Sequence, residues 1–474
     1  MTPSSKRPIM VLGCSSDAGK SFLAAALCRW FARRGERVAP FKAQNMSNNA
    51  GVCADGSEIG RAQYLQALAA GVPPEARMNP VLLKPEADTR SQVVLMGRHD
   101  PELTATPWLE RRDRLWPAIA AALDSLLRDF DRVVLEGAGS PAEPNLMRHD
   151  LVNLAVARRA GAACYLVADV DRGGAFAHLL GTWQTMDAAD RALLCGFVLN
   201  KFRGDPALLL DAREWLRVRT GLPTVAVVPY RRHLLPEEDS FFHAKQERGG
   251  GKTRVALVLY PYASNLDEFD PLIHEEGVDV VPVERPEDME GVAAILLPGS
   301  KNTVASLDHL RGSGLAGRIR SLAEAGIPVL GICGGLQILG RWIRDPQGIE
   351  GRGAEGLGLL DVATTFAGEK TTRRTRVLST EWGWVNGYEI HLGQTLAAPH
   401  VETYLACGLG FREGNVAGVY LHGLFENTAY RVDFLRSLGW SGATEDWDKR
   451  LHVQMDRVAD LIDESGWAQN LADL

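Results

Sequence analysis

The nine residues Val329-Leu330-Gly331-Ile332-Cys333-Gly334-Gly335-Leu336-Gln337 leave this chain few ways to fold. An apolar run, a glycine, a cysteine, two more glycines and an apolar helical pattern describe a buried strand turning sharply into a helix, with Cys333 on the turn. Glycine accepts backbone angles that a Cβ forbids, so it suits such a turn. A cysteine there sits at the positive end of the helix dipole, which favours thiolate. The first backbone N–H groups of the helix, beginning with Gly334, have no intrahelical partner and can hold an oxyanion. This is a nucleophile elbow with sulfur in place of oxygen. A merely buried cysteine in a glycine-rich loop would look the same on its own, so the reading turns on the partners downstream.

A thiol nucleophile needs a base. His422, in Val419-Tyr420-Leu421-His422-Gly423, stands where an apolar strand ends, in the same predicted unit as Cys333. His391, in Tyr388-Glu389-Ile390-His391, competes for the role. Leu297-Pro298-Gly299-Ser300-Lys301 ends another strand, and the backbone at Gly299 is placed to complete an oxyanion hole with the N–H of Gly334.

The front of the chain carries a second site. A short strand at 8–12 runs into Gly13-Cys14-Ser15-Ser16-Asp17-Ala18-Gly19-Lys20-Ser21, and a helix follows at 22–34. Gly13 and Gly19 enclose five residues, one more than the usual phosphate loop, but the physics is the same. Backbone N–H groups of the loop bind phosphate, Lys20 reaches the terminal phosphates of ATP, and Ser21 ligates Mg²⁺. Glu136 ends a strand at 132–135 that should lie beside the first, which makes it a second Mg²⁺ ligand, directly or through water. Lys42, at the end of the strand at 37–41, offers another cation.

Strands at 164–168, 196–199 and 224–228 continue the first series, and a helix is expected at 58–70. A second series of strands lies at 255–259, 278–283, 293–297 and 329–332. Short apolar strands alternating with helices indicate parallel sheets covered on both faces. A chain of 474 residues is too long for a single core. The polar, glycine-rich stretch 243–253 reads as a linker between a domain at 1–242 and one at 254–440, with a helical tail at 441–474. Past residue 340 the pattern is less regular, with strand-like pieces at 388–392 and 416–421.

The formal charge of -7 leaves no basic excess to neutralise nucleic acid. Seven scattered cysteines without a CxxC pair indicate free thiols in a reducing cytoplasm, not a disulfide framework or a zinc site. No apolar run is long enough for a membrane span, and residues 1–8 lack the apolar core of a signal peptide.

Together the two sites resemble the cobyric acid synthase family, the glutamine-dependent amidases of cobalamin biosynthesis, over nearly the whole chain. The front half is similar to the dethiobiotin-synthetase type of P-loop fold, whose loop has the same five-residue interior. The matching pieces are SDAGKS (16–21), PFKAQNMSNNA (40–50), EIGRAQYLQA (58–67), NPVLLKP (79–85), LEGAGSPAE (135–143), DRGGAFAH (171–178) and NKFRGD (200–205). The back half is similar to a class I glutamine amidotransferase through LPGSKNT (297–303), GICGGLQILG (331–340), GYEIHLG (387–393) and YLHGLF (420–425). EIGRAQ and YEIH are more specific than the phosphate loop. The family elbow usually reads GICGGYQMLG, so Leu336 and Ile338 depart from it on the helix behind the cysteine. The wider amidotransferase class has His-x-Glu, but residue 424 is leucine. The carboxylate that would orient the base is therefore open, with Glu389 the nearest candidate.

The resemblance implies an α/β chain in two parts, a P-loop synthetase domain and an amidotransferase domain. It implies glutamine hydrolysis at Cys333 and Mg-ATP-dependent amidation of the b, d, e and g carboxylates of a corrin, adenosylcobyrinic acid a,c-diamide. Ammonia must then travel a shielded route between the sites. The resemblance places Gly13, Gly19, Lys20, Ser21, Lys42 and Asn200 at ATP, with Asn200 reading adenine. It places Ser21, Glu58 and Glu136 at Mg²⁺, and Gln44, Asn45 and Asp150 on the corrin side. The closest rival is the related a,c-diamide synthase, which acts on two acetates. A cell-wall amidating ligase with a separate glutaminase is opposed by the presence of both functions on one chain. A P-loop scaffold with a decayed amidotransferase domain is opposed by the intact Cys333 and His422.

Overall fold

The computed structural model describes residues 6–87, 90–231, 233, 235, 253–472 and 474. The expected linker lies outside the described residues, apart from Thr253. In the front half six parallel strands form one sheet: β1 (Ile9–Gly13), β2 (Val38–Phe41), β3 (Arg132–Glu136), β4 (Ala163–Asp169), β5 (Leu194–Phe202) and β6 (Thr224–Pro229). Their spatial order is β6-β5-β4-β1-β3-β2. β1 and β3 are neighbours, with Val11 opposite Glu136, so Glu136 and the loop after Gly13 leave the sheet side by side. β1 to β4 are buried along their length because helices cover both faces. Helix α1 (Lys20–Ala32) starts directly out of the loop.

The expected helix at 58–70 is split. Glu58–Gly60 pairs antiparallel with Ala50–Val52, and helix α2 (Arg61–Ala69) begins only after it. Gly60 is extended (φ -57°, ψ 137°) and donates its N–H to Asn79 Oδ1 at 3.1 Å, which stops the helix from starting earlier. The periodicity of the sequence carries no trace of this side-chain bond.

The back half is built on β7 (Thr253–Val258), β8 (Val278–Val283), β9 (Ala294–Leu297) and β10 (Val329–Ile332), followed by helix α3 (Gly334–Leu339). The sheet continues through β11 (Val362–Ser379), β12 (Gly383–Ala397), β13 (Glu402–Leu405), β14 (Gly410–Glu413) and β15 (Val416–Val419). The order β8-β7-β9-β10-β15 is parallel; β14, β13, β11 and β12 extend it antiparallel. β11 and β12 make a long ribbon where sequence showed only short pieces. Its polar stretch Thr371–Arg376 does not alternate apolar and polar residues; instead it lies against the front half, where Arg374 Nη2 donates to Tyr64 Oη at 2.9 Å.

The helical tail is α4 (Trp447–Glu464), and its apolar face completes the front core rather than standing apart. Leu451, Met455, Val458 and Ile462 share one cluster with Ile9, Val11, Leu23 and Leu27. Arg29 makes a forked pair with Asp456 at 2.8 and 3.0 Å, and Trp30 Nε1 donates to Asp463 Oδ2 at 3.0 Å. Beyond α4, Trp467 is fully buried and meets the Tyr165 ring of β4 edge-on, centroids 5.1 Å apart. Among the described residues no helix is long and apolar enough to cross a membrane.

Trp467→Ala should therefore destabilise the front half, though it lies at the far end of the sequence. Removing a buried indole leaves a cavity and costs about 3–5 kcal/mol. Urea denaturation followed on that domain should show a lower midpoint; an unchanged midpoint would show that the tail is an ornament.

Candidate active site

Strand register assembles the thiol site. Leu297 lies opposite Gly331, and Ile332 opposite Val419. The loops after β9, β10 and β15 therefore leave the sheet together at its C-terminal edge, where open α/β sheets place their ligands. These loops carry Gly299, Cys333 and His422. Cys333 sits at φ 52°, ψ -104°, a conformation rare for a residue with a side chain. Close packing holds it there: a Cβ on Gly334 would stand 2.6 Å from the backbone N of Ser300, and one on Gly335 would collide with the Leu297 carbonyl. Gly299 lies on the other side of the same space, where an added Cβ would come 3.2 Å from His422 Cε1.

His422 is buried, with its ring beside the Cys333 side chain. Its backbone pairs with Tyr388 in both directions, at 2.9 and 3.2 Å, and the two rings stack with centroids 5.2 Å apart. The Cys333 thiol also donates to the Ile390 carbonyl at 3.4 Å. His391 is occupied elsewhere: Nδ1 faces the Gly393 carbonyl at 2.9 Å, Nε2 faces Glu389 at 3.2 Å, and the ring stacks on Tyr420. Between the two histidines, the structure brings only the His422 ring to the thiol.

The orienting carboxylate is Glu268, not Glu389. Glu268 Oε1 lies 3.2 Å from His422 Nδ1, and Oε2 accepts from the Gly423 N–H at 3.3 Å. Glu389 instead accepts from Arg373 and Thr375 at 2.7 and 2.5 Å. Burial alone would raise the Glu389 pKa, but bonds from His391, Arg373 and Thr375 hold it down at about 2. Glu268 lies in a 3-10 turn, Leu266–Phe269, beyond the C-terminal end of β7. A carboxylate in the loop after a parallel strand was the available signal in the sequence, but its 154-residue separation from His422 hid the pairing.

The electrostatics follow from burial and from these neighbours. Burial opposes a charged imidazole, but the Glu268 carboxylate and the Cys333 side chain outweigh it and push the His422 pKa up to about 10. Burial raises the Glu268 pKa, and His422 draws it back in part. Glu268 thus makes His422 a stronger base than an ordinary imidazole.

The second site centres on Glu136. Its Oε1 accepts from Ser21 Oγ at 2.7 Å and lies 3.0 Å from Lys42 Nζ; its Oε2 accepts from Gln63 and Gln66 at 3.2 and 2.6 Å. A hydroxyl beside a carboxylate is an oxygen donor pair of the kind that holds Mg²⁺ together with phosphates and water, so Ser21 and Glu136 fit that ion. Lys20 lies across the loop, with Nζ donating to the carbonyls of Ser15 and Gly139 at 2.9 and 3.2 Å. Gly13 is needed beneath it, since a Cβ there would stand 2.9 Å from the Lys20 amine.

The remaining expected residues have other surroundings. Asn200 donates to the Ala18 carbonyl at 2.9 Å and so supports the loop beside Gly19. Glu58 holds the buried Lys84 and, at 2.7 Å, Lys370 of the ribbon. Its carboxylate is already engaged by these two lysines, unlike a waiting metal ligand. Burial, then the nearby Lys301 and Lys370, push the Lys84 pKa well below the ordinary lysine value. Both Asp150 oxygens accept backbone N–H groups, from Val152, Asn153 and Ala155, so the carboxylate is spent on the turn that leads into the helix Leu154–Ala160. Asn45 donates to Gln63 at 3.1 Å, while the buried Gln44 Oε1 has no hydrogen-bond partner.

Comparison with known proteins covers both halves. A family model described as a CobQ/CobB/MinD/ParA nucleotide binding domain matches residues 9–240, and one described as a CobB/CobQ-like glutamine amidotransferase domain matches 254–430. The cobyric acid synthase of Deinococcus radiodurans is 57% identical, across 90% of this chain and 92% of its own. That of Variovorax paradoxus is 53% identical, across 98% and 99%. A solved glutamine amidotransferase, 18% identical, covers 39% of this chain and 97% of its own at a TM-score of 0.33.

Glu268→Gln removes the charge that holds the His422 proton while keeping the shape. The His422 pKa, read by NMR titration of labelled histidine, should fall from about 10 toward its ordinary value of 6.5. An unmoved titration would show that Glu268 does not govern the ring.

Proposed function

The chain belongs to the cobyric acid synthase family, and from that premise we propose that it amidates the b, d, e and g carboxylates of adenosylcobyrinic acid a,c-diamide, giving adenosylcobyric acid. It is a glutamine-dependent ligase with a nucleotide-binding half. The observation that carries the finer reading is the coexistence, in one chain, of a strained cysteine elbow facing a His422–Glu268 pair and a phosphate loop facing Ser21, Glu136 and Lys42.

In the thiol site, Cys333 passes its proton to His422 and its sulfur attacks the side-chain carbonyl carbon of glutamine. The oxyanion meets the Gly334 N–H and the backbone at Gly299. His422 delivers its proton to the departing nitrogen, which leaves as ammonia and a γ-glutamyl thioester on Cys333. Water then attacks the thioester, releasing glutamate and restoring the thiol. Glu268 keeps the ring cationic for the delivery and fixes its orientation.

In the phosphate site, a corrin carboxylate oxygen takes the terminal phosphoryl group of ATP, giving an acyl phosphate and ADP. Ammonia attacks the acyl carbon and phosphate leaves. Lys20 and Lys42 face the transferring group with positive charge, which is the main catalytic term for phosphoryl transfer. Mg²⁺, when held by Ser21 and Glu136, supplies further neutralisation of phosphate charge. Gln44, with its unpartnered carbonyl, and Asn45 border the corrin side.

Between the sites the two halves meet in an apolar cluster of Ala50, Val52, Leu82, Val94, Tyr388 and Ile390. Its member Ile390 is the residue whose carbonyl receives the Cys333 thiol. This dry seam supports a route on which ammonia escapes protonation by bulk water. The direct test is mass spectrometry of the corrin incubated with enzyme, Mg-ATP and glutamine. Four successive losses of about one mass unit are expected, since OH becomes NH2 at each step; two would point to the a,c-diamide synthase reaction.

Two variants separate the sites. Cys333→Ala should abolish glutamine use and spare amidation with added ammonia; equal loss with both nitrogen donors would refute a two-site enzyme. Lys20→Ala should stop amide formation with either donor, because removing the cation costs several kcal/mol of transition-state stabilisation, roughly 3 or more. Retained amidation would place ATP elsewhere.

A further inference from the structure

Charged side chains from both halves gather just beyond the thiol site. Lys301 follows Gly299 by two residues in the loop after β9, with its N–H on the Tyr262 carbonyl at 2.9 Å. Lys370 precedes Thr372 of β11 by two, and Thr372 lies opposite Ile390, whose carbonyl receives the thiol. Lys84 follows Leu82 by two along the strand Val81–Ala87, and Leu82 shares a buried cluster with Ile390. Glu58 lies opposite Val52, another member of that cluster. The four meet: Lys84 and Lys370 both hold the Glu58 carboxylate, Lys370 at 2.7 Å, and Lys301 stands close enough to Lys84 to act on its charge.

The group is enclosed. Lys84 is fully buried, Glu58 nearly so, and the Lys370 side chain is 16% exposed. Burial and the two neighbouring ammonium groups hold the Lys84 pKa far down, and a further carboxylate among the lysines would relieve that repulsion. Glu58 has room for another donor, since a carboxylate accepts at about four sites. The place therefore suits a small molecule that carries one carboxylate and one ammonium. Distance agrees. Two residues of extended chain span about 6.6 Å. In glutamine the α-carbon stands three bonds beyond the amide carbon that sulfur attacks, so its charged groups fall about as far from the sulfur.

We propose that Lys84, Lys301, Lys370 and Glu58 hold the α-amino acid head of glutamine, the lysines its carboxylate and Glu58 its ammonium. This deepens the reading that Cys333 releases nitrogen from glutamine, and rests on it. Charge-assisted bonds at the head fix the amide carbon over the sulfur and reject amides that lack either charged group. Glu58 and Lys84 belong to the nucleotide-binding half, so the glutamine pocket is complete only where the two halves meet. Glu58, which the resemblance set at Mg²⁺, thus serves the thiol site from across the domain boundary.

Full-length protein is assayed for ammonia release from glutamine, from γ-aminobutyramide, which lacks the α-carboxylate, and from glutaramate, which lacks the α-ammonium. The wild type should lose about a hundred-fold in kcat/KM with either analogue, since each leaves a buried charge in the site unpaired. Lys370→Met should raise KM for glutamine roughly ten-fold with kcat changed less, and the penalty for omitting the carboxylate should shrink to about a few-fold. Glu58→Gln should shrink the penalty for omitting the ammonium in the same way. Where Lys370→Met does not fold, Lys301→Met, at a half-buried position, is read by the same ratio. Side chains that only dock the two halves would slow all three substrates alike and leave both penalties at wild-type size. That result, or a wild type that takes the analogues as readily as glutamine, would overturn the proposal. A wild type no faster on glutamine than Cys333→Ala would sink the underlying reading instead.

Discussion

Everything in the back half depends on one backbone constraint, the positive φ of Cys333. A residue with a Cβ held in that region stores about 1–3 kcal/mol of strain, and it persists only if the surroundings over-determine it. Here they do. Gly334 and Gly335 lie so close to Ser300 and Leu297 that no side chain fits. The Cys333 N–H is fixed to the Val419 carbonyl at 2.7 Å. The elbow is therefore clamped from β9 on one side and β15 on the other, and those strands deliver Gly299 and His422. Loosening any one contact would relax the cysteine and move the other two groups at the same time.

The front half has a comparable centre in Glu136, but it works by hydrogen bonding rather than by sterics. A buried carboxylate is costly unless it is paired and bonded. Glu136 is satisfied by a lysine, a hydroxyl and two amides from three separate segments. The arrangement gathers residues that chain order keeps far apart. It also explains why α2 begins where it does: Gly60 must stay extended, tied to Asn79, for Gln63 and Gln66 to point at the strand end.

What could be read from sequence was whatever is local. The apolar runs at β1, β3, β10 and β15, the glycines at the two turns, and the polar residue at the end of each run are all visible within a dozen residues. Glu268 was not, because its role exists only once a 3-10 turn from one loop reaches a histidine far along the chain. Glu389 was the nearer guess in sequence, yet alternation along β12 turns its carboxylate to Arg373, away from the His422 ring. Asp150 was placed on the corrin side by resemblance alone, and the sequence carries no trace of the three backbone N–H groups that its carboxylate receives. The β11–β12 ribbon was missed since its middle is stabilised by the other domain and not by its own apolar pattern.

The placement of α4 has a consequence for how the two halves are joined. The phosphate loop precedes the amidotransferase half in the chain, whereas the helix that covers α1 follows it. Arg7 and Leu474 even share a backbone bond, N to O 3.3 Å. Topologically, the back half is an insertion within the front one. The apolar face of α1 is therefore covered only by a helix that lies beyond the whole amidotransferase half in the chain.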